Sequence, residues 1–127
     1  EKAQSLQKQL AALSSGLQFS LSKARNKVIQ SVLKVQSDSM DFIAIQFENQ
    51  IAKDQFERQQ KLYDQGLKSL TELEQRKLKL QESSAKLLSG QNKFNSSKNE
   101  LTNARIELNA LQAEYLDKMA KAERRTN

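Results

Sequence analysis

The side chains that could do chemistry in this chain are almost all carboxylates, amines, guanidinium groups and hydroxyls. The sequence contains 15 acidic and 21 basic residues but no His and no Cys. His is the usual proton carrier near neutral pH, and both His and Cys are the common ligands of zinc. Glu72 and Glu74 form a close carboxylate pair, but residues two apart point to different faces of a helix. We therefore predict that the chain is not an enzyme and has no catalytic residues, metal site or cofactor.

Long helices are expected to carry these side chains, because the chain has no Pro and only three Gly among 127 residues. In the second half an apolar or aromatic residue recurs every seven positions, which indicates a coiled coil. The first half repeats the pattern with one polar interruption, Asn49. The second-half positions are Leu73, Leu80, Leu87, Phe94, Leu101, Leu108, Tyr115 and Ala122, and those of the first half are Leu21, Val28, Val35, Phe42, Asn49, Phe56 and Tyr63. We predict an all-α fold, a long antiparallel two-helix coiled-coil hairpin.

The two arms are expected to join at a turn over residues 64–68. Gly66 can adopt the left-handed conformation that ends a helix, and Ser69 followed by Glu72 forms a capping box. The first arm then covers residues 1–63 and the second covers residues 69–127. We expect the arms to pair so that Phe42 faces Gly90.

Two further positions combine Gly with small polar residues. We expect a kink or short gap near Ser14–Gly16, because Gly lowers helix propensity by about 1 kcal/mol. At Gly90 the seven-residue pattern continues without a shift, so a continuous helix with Gly90 as a packing residue is predicted.

Part of the first arm has apolar residues outside the seven-residue pattern, which widen its apolar surface. One interpretation is a partner surface, since exposed apolar strips commonly mark one. The other is a locally broader seam between the two arms. The residues are Ile29, Leu33, Met40, Ile43 and Phe47, accompanied by Val32 and Ile51.

The tip segment, residues 58–73, contains Arg58, Leu62 and Ser69 in the spacing Arg-x3-Leu-x6-Ser, centred on the predicted turn. An aromatic-acidic-x-Gly sequence, Tyr63 to Gly66, lies between the Leu and the Ser. This pattern resembles the hairpin tip of HlyD-type membrane fusion proteins, also called periplasmic adaptors. The resemblance extends over the whole chain as an architecture and over residues 58–73 as a motif.

The resemblance implies a role for each tip residue. Arg58, Leu62 and Ser69 would dock onto a TolC-like outer-membrane channel, and Gly66 would form the tight turn. Each also has a structural role in a plain hairpin. Arg58 would be a solvated side chain and Leu62 the last core residue of the coil. Ser69 would cap the second helix and Gly66 would end the first. Arg58 discriminates best, because hairpin folding needs no guanidinium there.

The resemblance also implies an assembly and a location. The chain would be a hairpin excised from a larger adaptor with flanking β domains, anchored to the inner membrane and working in the periplasm in a tripartite export or type I secretion system. The missing domains would contact an inner-membrane transporter. The off-register apolar residues would pack laterally against neighbouring adaptor copies, and this segment would neither enter a membrane nor bind nucleic acid.

Two alternatives belong to other classes of protein. The net charge of +6 is compatible with a nucleic-acid-binding coiled-coil arm that resembles the arm of a seryl-tRNA synthetase. Its basic residues are spread along the chain and mixed with acidic ones, and no aromatic residue alternates with them as a stacking surface would require. A plain structural spacer is the other alternative.

Overall fold

The computed structural model describes residues 2–126 and consists of two long helices. Helix α1 spans Lys2–Asp64 and helix α2 spans Leu70–Thr126. They pack against each other, and the described residues contain no strand. Residues early in α1 pair with residues late in α2, as in the ion pair between Lys27 and Glu107. The fold is therefore the predicted all-α antiparallel hairpin.

The predicted seven-residue positions lie in the seam between the helices, together with the buried residues Ala24, Asp38, Ser97 and Ala104. Each of the eight positions in α2, from Leu73 to Ala122, is buried or half-buried, and so are the first-arm positions from Leu21 to Phe56. Tyr63 is the exception, since 38% of its surface is exposed where α1 ends. A repeat of 3.5 residues keeps one face of each helix turned toward its partner, which explains why the pattern predicted the burial.

The chain divides into two compact units, which are described separately. The terminal unit comprises Glu1–Leu33 with Lys98–Asn127, and the tip unit comprises Lys34–Ser97. In the terminal unit the buried core residues are Leu21, Ala24 and Ala104. Lys27 Nζ lies 3.1 Å from Glu107 Oε2 across the two helices, at an exposed position. This unit therefore combines small core residues with ion pairs at its surface.

In the tip unit the seam contains an aromatic pair and a close glycine contact. The rings of Phe42 and Phe94 lie 5.9 Å apart between centroids. A Cβ atom placed on Gly90 would lie 3.6 Å from Phe42 Cδ2 and 2.9 Å from Ile45 Cδ1. The predicted pairing of Phe42 with Gly90 is confirmed, as is the role of Gly90 as a packing residue in a continuous helix.

The expected gap near Ser14–Gly16 is wrong, because α1 is continuous through these residues. The hydroxyl of Ser20 donates a hydrogen bond to the carbonyl of Gly16, at 3.2 Å. A single Gly costs a helix only about 1 kcal/mol, which the surrounding helix-forming residues offset. The bend proposed at this place stays a prediction.

Candidate functional site

The C-terminus of α1 is closed by two backbone hydrogen bonds of a Schellman motif. The N–H of Leu67 donates to the carbonyl of Leu62 at 2.8 Å, and the N–H of Gly66 donates to the carbonyl of Tyr63 at 2.9 Å. Gly66 has a φ of 75°, which is the left-handed conformation. These bonds satisfy carbonyls that the end of a helix would leave without partners. The predicted role of Gly66 in the turn is confirmed.

The N-terminus of α2 is capped by Ser69. Its hydroxyl accepts a hydrogen bond from the N–H of Glu72 at 3.2 Å, as in the predicted cap. The N–H of Leu73 reaches the carbonyl of Ser69 at 3.3 Å, which begins the helical ladder. The Glu72 carboxylate lies 3.9 Å from Lys68 Nζ. Both ends of the turn are thus fixed by hydrogen bonds.

The three residues of the tip motif differ in exposure. Arg58 is exposed on α1, Leu62 is half-buried, and Ser69 is exposed at the start of α2. Leu62 and Ser69 both take part in the turn itself, Leu62 through its carbonyl and Ser69 through its cap. The side chain of Arg58 has no such structural task, so its position is the one that hairpin folding leaves unexplained.

Two exposed leucines at the turn were missed by the sequence reasoning. Leu67 is 66% exposed and Leu70 is 51% exposed. Both lie outside the seven-residue pattern, so their spacing along the chain does not predict whether they are buried or exposed. The turn therefore presents apolar surface to the solvent beside the tip motif.

The charges at the tip are partly compensated within the chain. Lys68 pairs with Glu72, and the Asp64 carboxylate accepts a hydrogen bond from Gln60 Nε2 at 3.0 Å. Within residues 2–126 the side chains of Arg58 and Lys61 have no ion-pair partner. Glu57 and Asp64 have no ion-pair partner within these residues either, so the tip carries unpaired charges of both signs.

Six of the seven off-register residues of α1 are exposed, and Val32 is half-buried. In the terminal unit Ile29 and Leu33 are each more than half exposed. In the tip unit Met40, Ile43, Phe47 and Ile51 are exposed, and we call these four the tip-unit stripe. The interpretation as a broader seam between the arms is wrong for the six exposed residues, and only half-buried Val32 is compatible with it.

The tip-unit stripe lies on the side of α1 away from α2. At 3.6 residues per turn, Met40 is about 160° around the helix from Phe42, and Phe47 is about 160° from Ile45. Phe42 and Ile45 both face Gly90 of α2. Since Met40 is 72% exposed and Phe47 is 67% exposed, α1 has an unpartnered apolar face opposite its seam.

The seam of the tip unit is unusually polar. Asn49 Nδ2 donates to the hydroxyls of Ser83 and Ser84, both at 3.0 Å, and Arg76 Nη1 donates to Gln55 Oε1 at 2.9 Å. These bonds cross between the helices and satisfy groups that would otherwise be costly to bury. Hydrogen-bonded polar side chains therefore share the seam of this unit with apolar ones such as Phe42, Leu73 and Phe94.

Asp38 is the one buried acidic residue of the described chain, with 4% of its surface exposed. Its Oδ1 lies 3.6 Å from Lys93 Nζ, while its Oδ2 has no hydrogen-bond partner. Asp38 lies three residues after the seam residue Val35, and its spacing does not indicate that one carboxylate oxygen lacks a partner. The ion pair with a largely exposed lysine is the compensation that this carboxylate has.

Two other features are absent from the described residues, a metal-binding cluster and a helix that could span a membrane. Within residues 2–126 no group of three or more acidic side chains is placed to hold a metal ion. Over the same residues neither helix has a segment that is both long and apolar enough to span a bilayer.

A scan against known protein families found no match for this chain, and searches of curated proteins and of solved structures found none either. The resemblance to periplasmic adaptors therefore depends on the tip motif and on the hairpin architecture.

Proposed function

We propose that this chain is the docking hairpin of an HlyD-type periplasmic adaptor. Its tip would contact a TolC-like outer-membrane channel, in a tripartite export or type I secretion system. The role is mechanical coupling of two membranes, without chemistry. The observation that carries the proposal is the display of Arg58 and Ser69 around a hydrogen-bonded reversal at the motif spacing.

The state of Arg58 supports this proposal over a plain spacer. Its guanidinium is exposed and has no ion-pair partner among residues 2–126, although it lies less than two turns from the helix end. A guanidinium offers five donors in a fixed geometry, which suits the carbonyls and carboxylates of a partner protein. In a hairpin that serves only as a spacer, Arg58 would be one solvated side chain among others.

The exposed apolar residues of α1 support lateral packing of adaptor copies. Ile29 and Leu33 in the terminal unit, with Met40, Ile43 and Phe47 in the tip unit, would each lie against a neighbouring hairpin. Exposed apolar patches of this kind are rare on monomeric proteins. Burying this second apolar face against another hairpin would add to the stability that the seam already supplies.

Export in cells tests the docking role. Cells that produce the full-length protein with Arg58→Asp should show the same export defect as cells in which the gene is deleted. The variant should keep its helix content, because Arg58 packs against nothing that the fold requires. Leu62→Asp is expected to abolish export too, but it also disturbs a half-buried position at the turn.

Lys53→Asp provides a matched control, since Lys53 is an exposed cation of the same helix, five residues before Arg58. It makes the same change of charge outside the tip motif. Normal export by the Arg58→Asp variant at normal protein levels, or equal loss in both variants, would contradict docking through Arg58.

A further inference from the structure

A groove of about 380 Å³ lies between the two helices of the tip unit, next to the turn. Helix α1 contributes Gln59 to it and the turn contributes Lys68. The other lining residues are spaced three or four apart on α2, so they share one side of that helix. They are Glu72, Gln75, Arg76 and Lys79. Three cations and a single carboxylate therefore line this groove, which we call the basic groove.

The basic groove holds more positive charge than its own carboxylate balances. Lys68 Nζ lies 3.9 Å from the Glu72 carboxylate. Arg76 and Lys79 form no ion pair within residues 2–126. Lys79 also borders the adjoining groove, where Glu48 and Glu82 lie, but it pairs with neither of them. The lining keeps a formal charge of +2.

Other lysines of the same row on α2 lie beside acidic residues of α1. Lys79, Lys86 and Lys93 follow one another every seven residues, so they lie on one side of the helix. Lys93 Nζ lies 3.6 Å from Asp38 Oδ1, and Lys86 borders a groove that also contains Glu48. At the basic groove α1 contributes an amide and no acid. The balancing negative charge is therefore missing from the lining of this groove.

The hydrogen-bond donors of the basic groove are partly fixed in place. Half-buried Arg76 donates from Nη1 to Gln55 Oε1 across the seam, at 2.9 Å. A guanidinium has five N–H donors, and the others of Arg76 reach no acceptor among the described residues. The Oε1 atom of Gln59 is buried, which leaves Nε2 as the polar end of this side chain that can reach the groove. The groove is thus rich in donors that have no acceptor.

We propose that the basic groove binds a phosphate group. Phosphate carries about −1.5 to −2 charges near neutral pH and has three strong acceptor oxygens, which match the charge and the donors of the lining. Arg76 would bind two phosphate oxygens side by side, and Lys79 would act as a point charge beside them. A single carboxylate would balance only half of the charge. The inference goes beyond the proposed function, because Arg58 is not part of this groove.

Nuclear magnetic resonance of the isotope-labelled chain tests the proposal. Inorganic phosphate is titrated at constant ionic strength, with chloride as the anion it replaces. We expect saturable shifts of the signals from residues 68–79 and none from the terminal unit. Lys79→Gln should weaken binding about fivefold, the effect of losing one exposed charge contact. Lys86→Gln is the matched control, since it removes an exposed lysine of the same row outside the basic groove, and it should leave the affinity unchanged.

The outcomes decide whether the groove is a specific site. Shifts that do not saturate would overturn it, and so would equal weakening by Lys79→Gln and Lys86→Gln, because both results indicate general attraction of anions to a basic chain. A second titration with glycerol 3-phosphate separates two sources of the same group. Binding of both compounds assigns the site to phosphate esters as well as free phosphate. Binding of inorganic phosphate alone assigns it to the free ion, and binding of neither overturns the proposal.

Discussion

The contact between Gly90 and Ile45 gives a sharp test of the hairpin packing. Gly90→Ala adds a Cβ atom that would lie 2.9 Å from Ile45 Cδ1. In an open helix the same change stabilises by about 1 kcal/mol, because Ala has the higher helix propensity. At residue 90 the Ile45 side chain must leave its preferred rotamer, which costs about 0.5 to 1.5 kcal/mol. The two effects nearly cancel, so we expect almost no net change in stability.

Two companion variants isolate the contact. Gly16→Ala is the matched control, because a Cβ atom there meets nothing within 4 Å, and it should stabilise by about 1 kcal/mol. Ile45→Val removes the Cδ1 atom. In that background Gly90→Ala should regain its stabilisation of about 1 kcal/mol, which gives a coupling energy of about 1 kcal/mol between residues 45 and 90.

Urea unfolding of the isolated chain, followed by circular dichroism at the helical band, measures all five proteins under the same conditions. The comparison uses differences between variants, so the shared features of the unfolded chain cancel. Equal stabilisation by Gly90→Ala and Gly16→Ala, with no coupling to Ile45→Val, would refute the close approach of the two helices at this place.

Three other changes follow from the structure. Gly66→Ala should destabilise the hairpin by about 1 to 2 kcal/mol, since φ is 75° and a Cβ atom is strained in that conformation. If the variant unfolds at the same urea concentration as wild type, the turn does not need a glycine at residue 66. Lys93→Met leaves buried Asp38 without a cation, so it should lower the free energy of unfolding by about 1 kcal/mol and with it the melting temperature. Asp38→Leu removes the buried charge and should preserve or raise the melting temperature. The reverse order would contradict the ion pair. Phe47→Ser should weaken assembly of the full-length protein in sedimentation, while Gln46→Ser, next to it on another side of α1, should not. Unchanged assembly with Phe47→Ser would count against packing through the tip-unit stripe.

The sequence predicted the features that depend on spacing along the chain. The seven-residue pattern identified one row of seam positions on each helix, because the same period sets which side chains share a helix face. The buried residues Ala24, Asp38, Ser97 and Ala104 each lie three positions after a member of that row. Gly66 and Ser69 located the turn, since a left-handed glycine and a cap act on backbone groups a few residues away. The pairing of Phe42 with Gly90 followed from the position of that turn. Arg58, Leu62 and Ser69 were singled out by their spacing around the turn, and their docking role stays a prediction.

The remaining features depend on contacts between residues far apart in the chain. Continuity through Ser14–Gly16 was misjudged, because a weak local signal competed with a long helix on both sides. The exposure of Leu67, the unpartnered oxygen of Asp38 and the open face of α1 could not be read from the pattern. Periodic spacing shows which side chains lie on the same face of a helix. Which surface covers that face depends on how the two helices pack. Two helices can cover one face of each other, and so the second apolar face of α1 became visible as exposed surface only in the folded hairpin.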